Sequence, residues 1–120
     1  MKITVHSIAA HGDHTHERIQ LTVHEKCDLA HYMVADTTFS ADGGTVSNKV
    51  RHTHWFSQLQ VNAGDAVVLY SRDGVPTATK RPDGRTTYFL YWGLSKPVWN
   101  DAGDGAVLFQ IDSWQSRRVK

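Results

Sequence analysis

The hydrophobic positions of this chain alternate with polar ones at a period of two. Ile19, Leu21 and Val23 alternate with polar residues over six positions, which is the pattern of a strand with one buried face. Residues 3–7 repeat the pattern near the N-terminus. No window places apolar residues at the helical spacing of three, four and seven. The pattern therefore predicts an all-β chain.

Further strands follow the same signals. Residues 29–35 form a short apolar run that we interpret as a strand, and a loop marked by Asp42, Gly43 and Gly44 comes after it. Residues 55–61 and 66–70 are separated by the turn-forming residues 62–65, so their spacing predicts a hairpin. Residues 71–86 are rich in Gly, Pro and Asp and are expected to form the longest loop.

The most distinctive stretch runs from residue 88 to residue 108. An aromatic segment, residues 88–92, is followed by a string of Asn, Asp, Ala and Gly at residues 100–105 and then by a second apolar run. Aromatic and β-branched residues favour strands, whereas Asn, Asp and Gly favour chain reversals. Trp92 and Trp99 bracket the segment, and Pro97 stiffens it. We expect two strands joined by an ordered corner.

Together these signals predict a β-sandwich of about seven to nine antiparallel strands in two packed sheets. An open barrel is the alternative. The chain has 120 residues, no internal repeat and no linker-like segment, so residues 1–120 are expected to form one domain. Of the four tryptophans, at least two are expected to pack in the core.

Composition narrows the function classes. The chain carries 21% charged residues, 40% hydrophobic residues and a net charge of +1, which argues against a protein that coats nucleic acid through bulk charge. Cys27 is the single cysteine, so no intramolecular disulfide can form, and a reducing compartment is favoured. The sequence contains neither a secretory signal nor an apolar run of membrane-spanning length. We expect a soluble cytoplasmic protein.

The order of these motifs resembles that of the lamin-tail domain, an immunoglobulin-like β-sandwich. The resemblance covers residues 3–114 and rests on the segments ERIQLTVHEKCDLAHYMVAD, LQVNAGDAVVLY and YWGLSKPVWNDAGDGAVLFQID. Family features are matched by the Asn-Ala-Gly-Asp turn at residues 62–65 and by a corner made of Trp99, Asn100, Gly103, Asp104, Ala106 and Leu108. Neither coiled-coil heptads nor a prenylation motif is present, so the filament role of nuclear lamins is not implied.

The resemblance implies a non-catalytic interaction module that recognises a protein partner. We expect the partner to contact a sheet edge, by strand addition, or the Lys80 to Arg85 loop, through an Arg-rich rim around an aromatic anchor. A homodimer formed by sheet-edge pairing is a further possibility. The candidate partner-binding residues are Arg72, Lys80, Arg81, Arg85, Trp92 and Trp99.

The histidines suggest a second hypothesis. All eight lie in the first 54 residues, and the pairs His14 with His16 and His52 with His54 have the i, i+2 spacing that places two imidazoles on one face of a strand. Asp13 or Glu17 would add an oxygen ligand. Such a set would bind zinc, copper or nickel. The competing interpretation is that these are solvated histidines, because no cysteine joins them and the spacing matches no standard zinc finger.

Other chemistry has weaker support. The basic loop and the tail Arg117, Arg118 and Lys120 favour nucleic-acid binding as a third hypothesis. Asn100, Asp101 and Asp104 offer oxygen atoms for calcium, but they do not fit the EF-hand loop pattern and hydrogen bonds within the turn explain them better. No hydrolase, Walker or Rossmann motif occurs, and the chain is expected not to be an enzyme and to need no cofactor.

Overall fold

The fold is built almost entirely from β-strands. The computed structural model describes residues 1–40, 44, 46–99 and 103–120. Within this part of the chain the elements are β1 (Ile3–Ala9), β2 (Arg18–Val23), β3 (Cys27–Asp28), a 3-10 turn (Leu29–His31), β4 (Tyr32–Thr38), β5 (Thr53–Trp55), β6 (Gln60–Val61), β7 (Ala66–Tyr70), β8 (Thr77–Lys80), β9 (Thr86–Tyr91) and β10 (Asp104–Gln110).

The strands form three sheets in a sandwich-like arrangement. A five-stranded sheet has the order β1-β2-β7-β9-β8, a three-stranded sheet has the order β10-β4-β5, and β3 pairs with β6. All pairs are antiparallel except β7 and β9, which run parallel from Ala66 and Thr87 to Tyr70 and Tyr91. The all-β prediction is confirmed, but the expectation of purely antiparallel strands is wrong. No helix of the described residues has the length and apolar character needed to cross a membrane.

The core lies between the two larger sheets. Ile19, Leu21 and Val23 of β2 are at most 1% exposed, so the alternation seen in the sequence does mark the buried face of a strand. Val67 and Leu69 of β7 continue this layer. From the opposite sheet and its connections the core receives mainly Tyr32, Val34, Phe56, Val61 and Trp99.

Three local predictions need correction. Residues 29–35 begin as a 3-10 turn, because Asp28 accepts a hydrogen bond from the Ala30 amide, and only then enter β4. Residues 55–61 and 66–70 do not form a hairpin, since β6 pairs with β3 and β7 pairs with β2 and β9. The predicted loop at residues 71–86 contains strand β8, which forms a hairpin with β9.

Some predictions lie outside the described residues. These are the turn residues Asp42 and Gly43 and two of the three proposed calcium ligands, Asn100 and Asp101.

The five-stranded sheet is wider than the three-stranded sheet that packs against it. The strands that the narrower sheet leaves uncovered are called the overhang. At one side β1 and β10 come together, since Val5 and Leu108 line the same groove. At the other side the Trp92 indole, just beyond β9, donates to the Thr53 carbonyl of β5. Strands β9 and β8 therefore extend beyond the three-stranded sheet. Accordingly, Tyr88 and Leu90 face the core from β9 but are only half-buried.

Glu17 connects three distant segments through its buried carboxylate. Its residue is 0% exposed, and Oε1 accepts hydrogen bonds from Ser71 Oγ at 2.5 Å and from the Val98 amide at 2.8 Å. Oε2 accepts from the amides of Gly12 at 2.8 Å and Trp99 at 3.1 Å. The carboxylate thus links the β1–β2 loop, the end of β7 and the corner before β10.

Replacing Glu17 by Ala is expected to lower the free energy of unfolding by about 4 kcal/mol, because it leaves a hydroxyl and three amides without acceptors. Glu17→Gln keeps the shape and one acceptor oxygen, and is expected to cost about half as much. Denaturant unfolding measures both. The exposed Glu25→Ala is the control, with an expected change within about 0.5 kcal/mol. Equal costs for the Glu17 and Glu25 variants would contradict the connecting role.

Candidate functional site

The edge strand β8 and a groove beside it form the candidate site. Strand β8 ends the five-stranded sheet, and all four of its residues, Thr77–Lys80, are exposed. One side pairs with β9 in the register Thr77 to Phe89 through Lys80 to Thr86. Within the part of the chain that the structure describes, no hydrogen bond satisfies the backbone groups on the other side. These groups are able to pair with another strand.

The other sheet edges are less suited to pairing with an added strand. Strand β1 is interrupted by a bulge at His6, which has no register partner. Strand β5 has only three residues. Strand β10 lies beside β1, since Val5 and Leu108 line the same groove. Strand β8, whose four residues are all exposed, is therefore the candidate edge for strand addition.

Two arginines fasten the β8–β9 hairpin to the rest of the fold. The Arg81 guanidinium donates to the Gly64 carbonyl, and the Arg85 guanidinium donates to the Ala63 carbonyl. Both were predicted to contact a partner. In this structure each guanidinium donates to a backbone carbonyl of the turn at residues 62–65, and Arg85 remains exposed. Their effect is to hold β8 in place.

The same turn is fastened to β9 by a buried carboxylate. Asp65 is 4% exposed, and its two oxygens accept hydrogen bonds from the Asn62 amide at 2.8 Å and the Thr86 amide at 3.0 Å. The Asn-Ala-Gly-Asp sequence singled out above therefore positions the first residue of β9, and through β9 the edge strand.

Arg72 is also engaged within the chain. Its guanidinium lies 4.9 Å from the ring centre of Tyr70 and 5.0 Å from that of Tyr91, and its Nε donates to the Thr15 carbonyl at 2.9 Å. The two tyrosine rings are stacked on each other at 5.3 Å. Lys80, by contrast, remains exposed on β8. Among the described residues, the structure gives Arg72, Arg81 and Arg85 hydrogen bonds to backbone carbonyls, but it gives none to the Lys80 side chain.

The two tryptophans assigned to partner binding pack inside. Trp99 is 2% exposed, and its Nε1 donates to the Gly105 carbonyl at 3.0 Å. Trp92 is half-buried against the core, with its ring 5.8 Å from that of Trp99. Because Trp99 is buried, it does not lie on the protein surface. Trp55 and Trp114 are instead the exposed tryptophans, at 47% and 50%.

A groove of about 340 Å³ opens beneath the overhanging strands. It lies between β9 and the connection from β5 to β6. Its lining is mainly apolar and consists of His54, Phe56, Ser57, Gln58, Leu59, Pro76, Leu90 and Tyr91. Because Pro76 directly precedes β8, the groove lies next to the start of the edge strand.

His54 keeps the groove uncharged at neutral pH. Its ring packs edge-on against Phe56 at 4.9 Å and against Trp92 at 6.1 Å. Burial lowers the pKa of His54 below its ordinary value of 6.5. The imidazole is therefore neutral at pH 7 and presents a hydrogen-bonding group in an otherwise apolar groove.

The structure does not bring the four predicted metal ligands together. His14 Nε2 bonds to the Leu94 carbonyl at 2.7 Å, and His16 Nδ1 bonds to Asp13 at 2.9 Å. His52 Nδ1 bonds to Asp36 at 3.2 Å, while His54 faces the groove. Among residues 1–40, 44, 46–99 and 103–120, no three His, Cys, Asp or Glu side chains are grouped closely enough to hold a metal ion. Of the two proposed oxygen ligands, Asp13 bonds to His16, and Glu17 is buried and accepts four hydrogen bonds.

Two features of the site were missed at the sequence level. The alternating threonines in Thr77–Lys80 are a weak strand signal, masked by the surrounding Gly and Pro. The groove has no signal, because it arises from the unequal widths of the two sheets. Comparisons of the sequence with protein-family models and with curated proteins find no match.

Loss of the two arginine contacts is expected to loosen the hairpin. Arg81→Ala with Arg85→Ala should lower the free energy of unfolding by about 2 kcal/mol, since two charge-assisted hydrogen bonds to carbonyls are lost. Amide hydrogen exchange in β8 should accelerate more than in β2. The control is Arg117→Ala, whose side chain is exposed in the tail. Unchanged exchange in β8 would contradict the fastening role.

Acid is expected to destabilise the fold through His54. Its pKa is lower in the folded than in the unfolded chain, so the unfolded chain binds more protons and stability falls as the pH drops below about 6.5. His54→Gln removes this contribution and should flatten the fall between pH 7 and pH 5. His11→Gln, at an exposed loop position, is the matched control. Thermal unfolding across that pH range measures the difference, and identical profiles for the two variants would refute the assignment.

Proposed function

We propose that this chain is a non-catalytic interaction module that binds an extended segment of a partner protein along β8. The observation that carries the proposal is an edge strand whose four residues are all exposed and whose outer backbone groups are unpaired among the described residues. An extended segment adding to such an edge gains a row of backbone hydrogen bonds. Four edge residues correspond to about 13 Å of strand, which suits a motif of four or five residues.

The fastening of the hairpin supports this function. Arg81, Arg85 and Asp65 hold β8 and β9 against the turn at residues 62–65 before any partner arrives. A preorganised edge binds more tightly, because little conformational entropy is lost on association. These residues thus act in recognition indirectly, by positioning the strand.

The groove supplies a basis for specificity. Side chains of an added strand alternate between the two faces of the sheet, so every second one points toward the overhang. The groove of about 340 Å³ is lined mainly by apolar side chains and a neutral His54, which suits an apolar or aromatic side chain. Lys80 at the far end of β8 favours an acidic residue there.

A non-catalytic role agrees with the chemistry of Cys27. Its thiol is half-buried, and burial raises its pKa. The thiol is therefore protonated at neutral pH and is a poor nucleophile. Cytoplasmic residence remains part of the proposal, on the basis of a single unpaired cysteine.

We further propose that the fold is an immunoglobulin-like sandwich similar to lamin-tail domains. The turn at residues 62–65 directly precedes an apolar strand, β7, as in that family's pattern. Ala106 and Leu108 after the corner pack against the core together with Trp99. The parallel pairing of β7 with β9 departs from the simple antiparallel sandwich expected from the resemblance.

A homodimer is the second candidate, and the same edge favours it. Two copies pairing β8 against β8 would satisfy both exposed edges. Such a dimer competes with binding of a partner segment, so the two candidates differ in their dependence on protein concentration.

The function is tested by selecting linear peptides from a random library against the purified protein and mapping the selected peptides by amide chemical shifts. We expect the largest shifts in β8 and around the groove. Ala78→Pro and Thr79→Pro each remove one amide donor, and because successive amides of a strand point to opposite sides, one of them spares the pairing with β9. That variant should stay folded and lose peptide binding by at least about tenfold.

His6→Pro, at the bulge of the opposite edge, is the matched control and should retain binding. Peptides that map to another surface, or that bind the folded β8 proline variant normally, would refute the proposal. Light scattering across a concentration series identifies the homodimer, which the same proline variant should abolish.

A further inference from the structure

A row of apolar side chains crosses the outer face of the three-stranded sheet. This face points away from the core and from the five-stranded sheet. The strand register places Phe109 of β10, Met33 of β4 and Trp55 of β5 side by side. Phe109 is 37% exposed and Trp55 is 47% exposed. Three neighbouring strands span about 10 Å, which is the width of this row. We call these residues, together with Trp114, the aromatic face.

Trp114 joins the row from the C-terminal segment. Its ring meets that of Trp55 at 5.0 Å and an interplanar angle of 85°, and it meets the ring of His31 at 5.4 Å. The segment is anchored to His31, whose carbonyl accepts from the Ile111 amide at 2.7 Å and whose Nδ1 bonds to the Ile111 carbonyl at 2.8 Å. Half of the Trp114 residue nevertheless remains exposed.

The exposed rings are held in fixed orientations. Trp55 Nε1 donates to the Ala30 carbonyl at 2.8 Å, so the indole cannot turn into the core without losing this hydrogen bond. Trp114 is confined between Trp55 and His31. Two nearly perpendicular indoles at a sheet surface offer planar platforms at little further cost in side-chain entropy.

The chain that follows the aromatic face is positively charged. Three basic residues, Arg117, Arg118 and Lys120, follow Trp114 closely and are all exposed. Asp112 is the single acidic residue between Phe109 and the end of the sequence. The outward positions of the sheet itself are uncharged. Three of them, Ala35, Thr37 and Gly105, are buried, with the Phe39 ring over Gly105 and the Thr37 hydroxyl bonded to the Ser47 and Lys49 carbonyls. The remaining positions, which are at least partly exposed, are Met33, Thr53, Trp55, Val107 and Phe109.

We propose that the aromatic face binds single-stranded nucleic acid, with bases stacked on Trp55 and Trp114 and phosphates bound by the basic tail. Exposed aromatic rings beside clustered arginine and lysine are the combination that unpaired bases and their backbone require. A duplex keeps its bases stacked internally and cannot offer them to the rings. The width of the row suits about two nucleotides, and stacking without base-edge hydrogen bonds gives little sequence preference.

This inference replaces the predicted nucleic-acid site at the basic loop. Arg81 and Arg85 of that loop bind the chain's own carbonyls, whereas the tail arginines follow the exposed tryptophans. The site is also separate from β8, because it lies on the other sheet. Either activity can therefore fail while the other persists.

The test uses fluorescein-labelled oligothymidylate of twelve nucleotides, which forms no secondary structure, and a duplex of the same length. Anisotropy at low salt should show binding of the single strand, with quenching of tryptophan fluorescence, and weaker binding of the duplex. The logarithm of the affinity should fall with the logarithm of salt concentration with a slope of about −1.5 to −2, as expected for two to three phosphate contacts on a single strand.

Two variants separate stacking from charge. Trp55→Ala with Trp114→Ala should weaken binding at least about tenfold with little change in the salt slope. Arg117→Ala with Arg118→Ala should weaken binding and reduce the magnitude of the slope by about 1.4, the contribution of two phosphate contacts. Lys26→Ala with Lys96→Ala, which removes the same charge from exposed positions elsewhere, is the matched control and should bind nearly as the parent does. Thermal unfolding verifies that each variant is folded.

Three results would overturn the proposal. These are no binding of the oligonucleotide at low salt, equal binding by the folded tryptophan variant, and preference for the duplex. Sedimentation of the free protein tests whether a second copy of the chain binds to the aromatic face instead. If the protein is a dimer, the tryptophan variant is a monomer and no oligonucleotide binds, the aromatic face is an interface between two copies of this chain.

Discussion

A buried carboxylate holds the parts of this molecule in register. Glu17 is withdrawn from water and accepts hydrogen bonds from one hydroxyl and three amides, none of which carries a formal charge. Such a group is tolerated only where the donors are already aimed at it, since an unpaired buried charge costs several kcal/mol. The β1–β2 loop, the end of β7 and the corner at Trp99 must therefore reach their positions together. This requirement couples the two sheets, because the corner connects β9 to β10.

The unequal width of the sheets explains where the two proposed surfaces lie. A three-stranded layer cannot cover a five-stranded one, so part of the inner face of β9 stays half-buried and a groove remains beside β8. The outer face of the narrower sheet is left with exposed aromatic residues at its other end. Both proposed surfaces thus result from the packing of a narrow sheet on a wide one. The basic loop that the sequence suggested as a binding site instead holds the turn at residues 62–65 in place.

The predictable parts of the fold were those decided by local pattern. The alternation at Ile19, Leu21 and Val23 identified β2, and the apolar run before Tyr70 identified β7, because burial of one or both faces of a strand leaves a direct mark on the sequence. The pairing of one strand with another leaves no such pattern in the sequence. The parallel register of β7 with β9, and the separation of β6 from β7 into different sheets, depend on contacts between residues far apart in the chain.

The site was less predictable than the fold for the same reason. Charge and residue type suggested that Arg81, Arg85 and Trp99 face outward, but an arginine close to unpaired carbonyls is satisfied there, and a tryptophan fills core volume best. The histidine pairs had ligand spacing, yet His14, His16 and His52 each bond to a different partner. His54 packs against aromatic rings in the groove. The spacing of residues along the chain shows only which side chains point to the same face of one strand. A metal site needs side chains from several segments to converge on one point.

The bulge in β1 has a bearing on how this protein can assemble. The five-stranded sheet has two edges, and the bulge at His6 disrupts the regular hydrogen-bond row on one of them. A sheet with two regular edges can be extended at both, as in a fibril, whereas a sheet with one regular edge can be extended only there. If two copies paired β8 with β8 about a twofold axis, as proposed above, the combined sheet would present only its two bulged β1 edges. The irregularity at His6 would then limit such a complex to two copies.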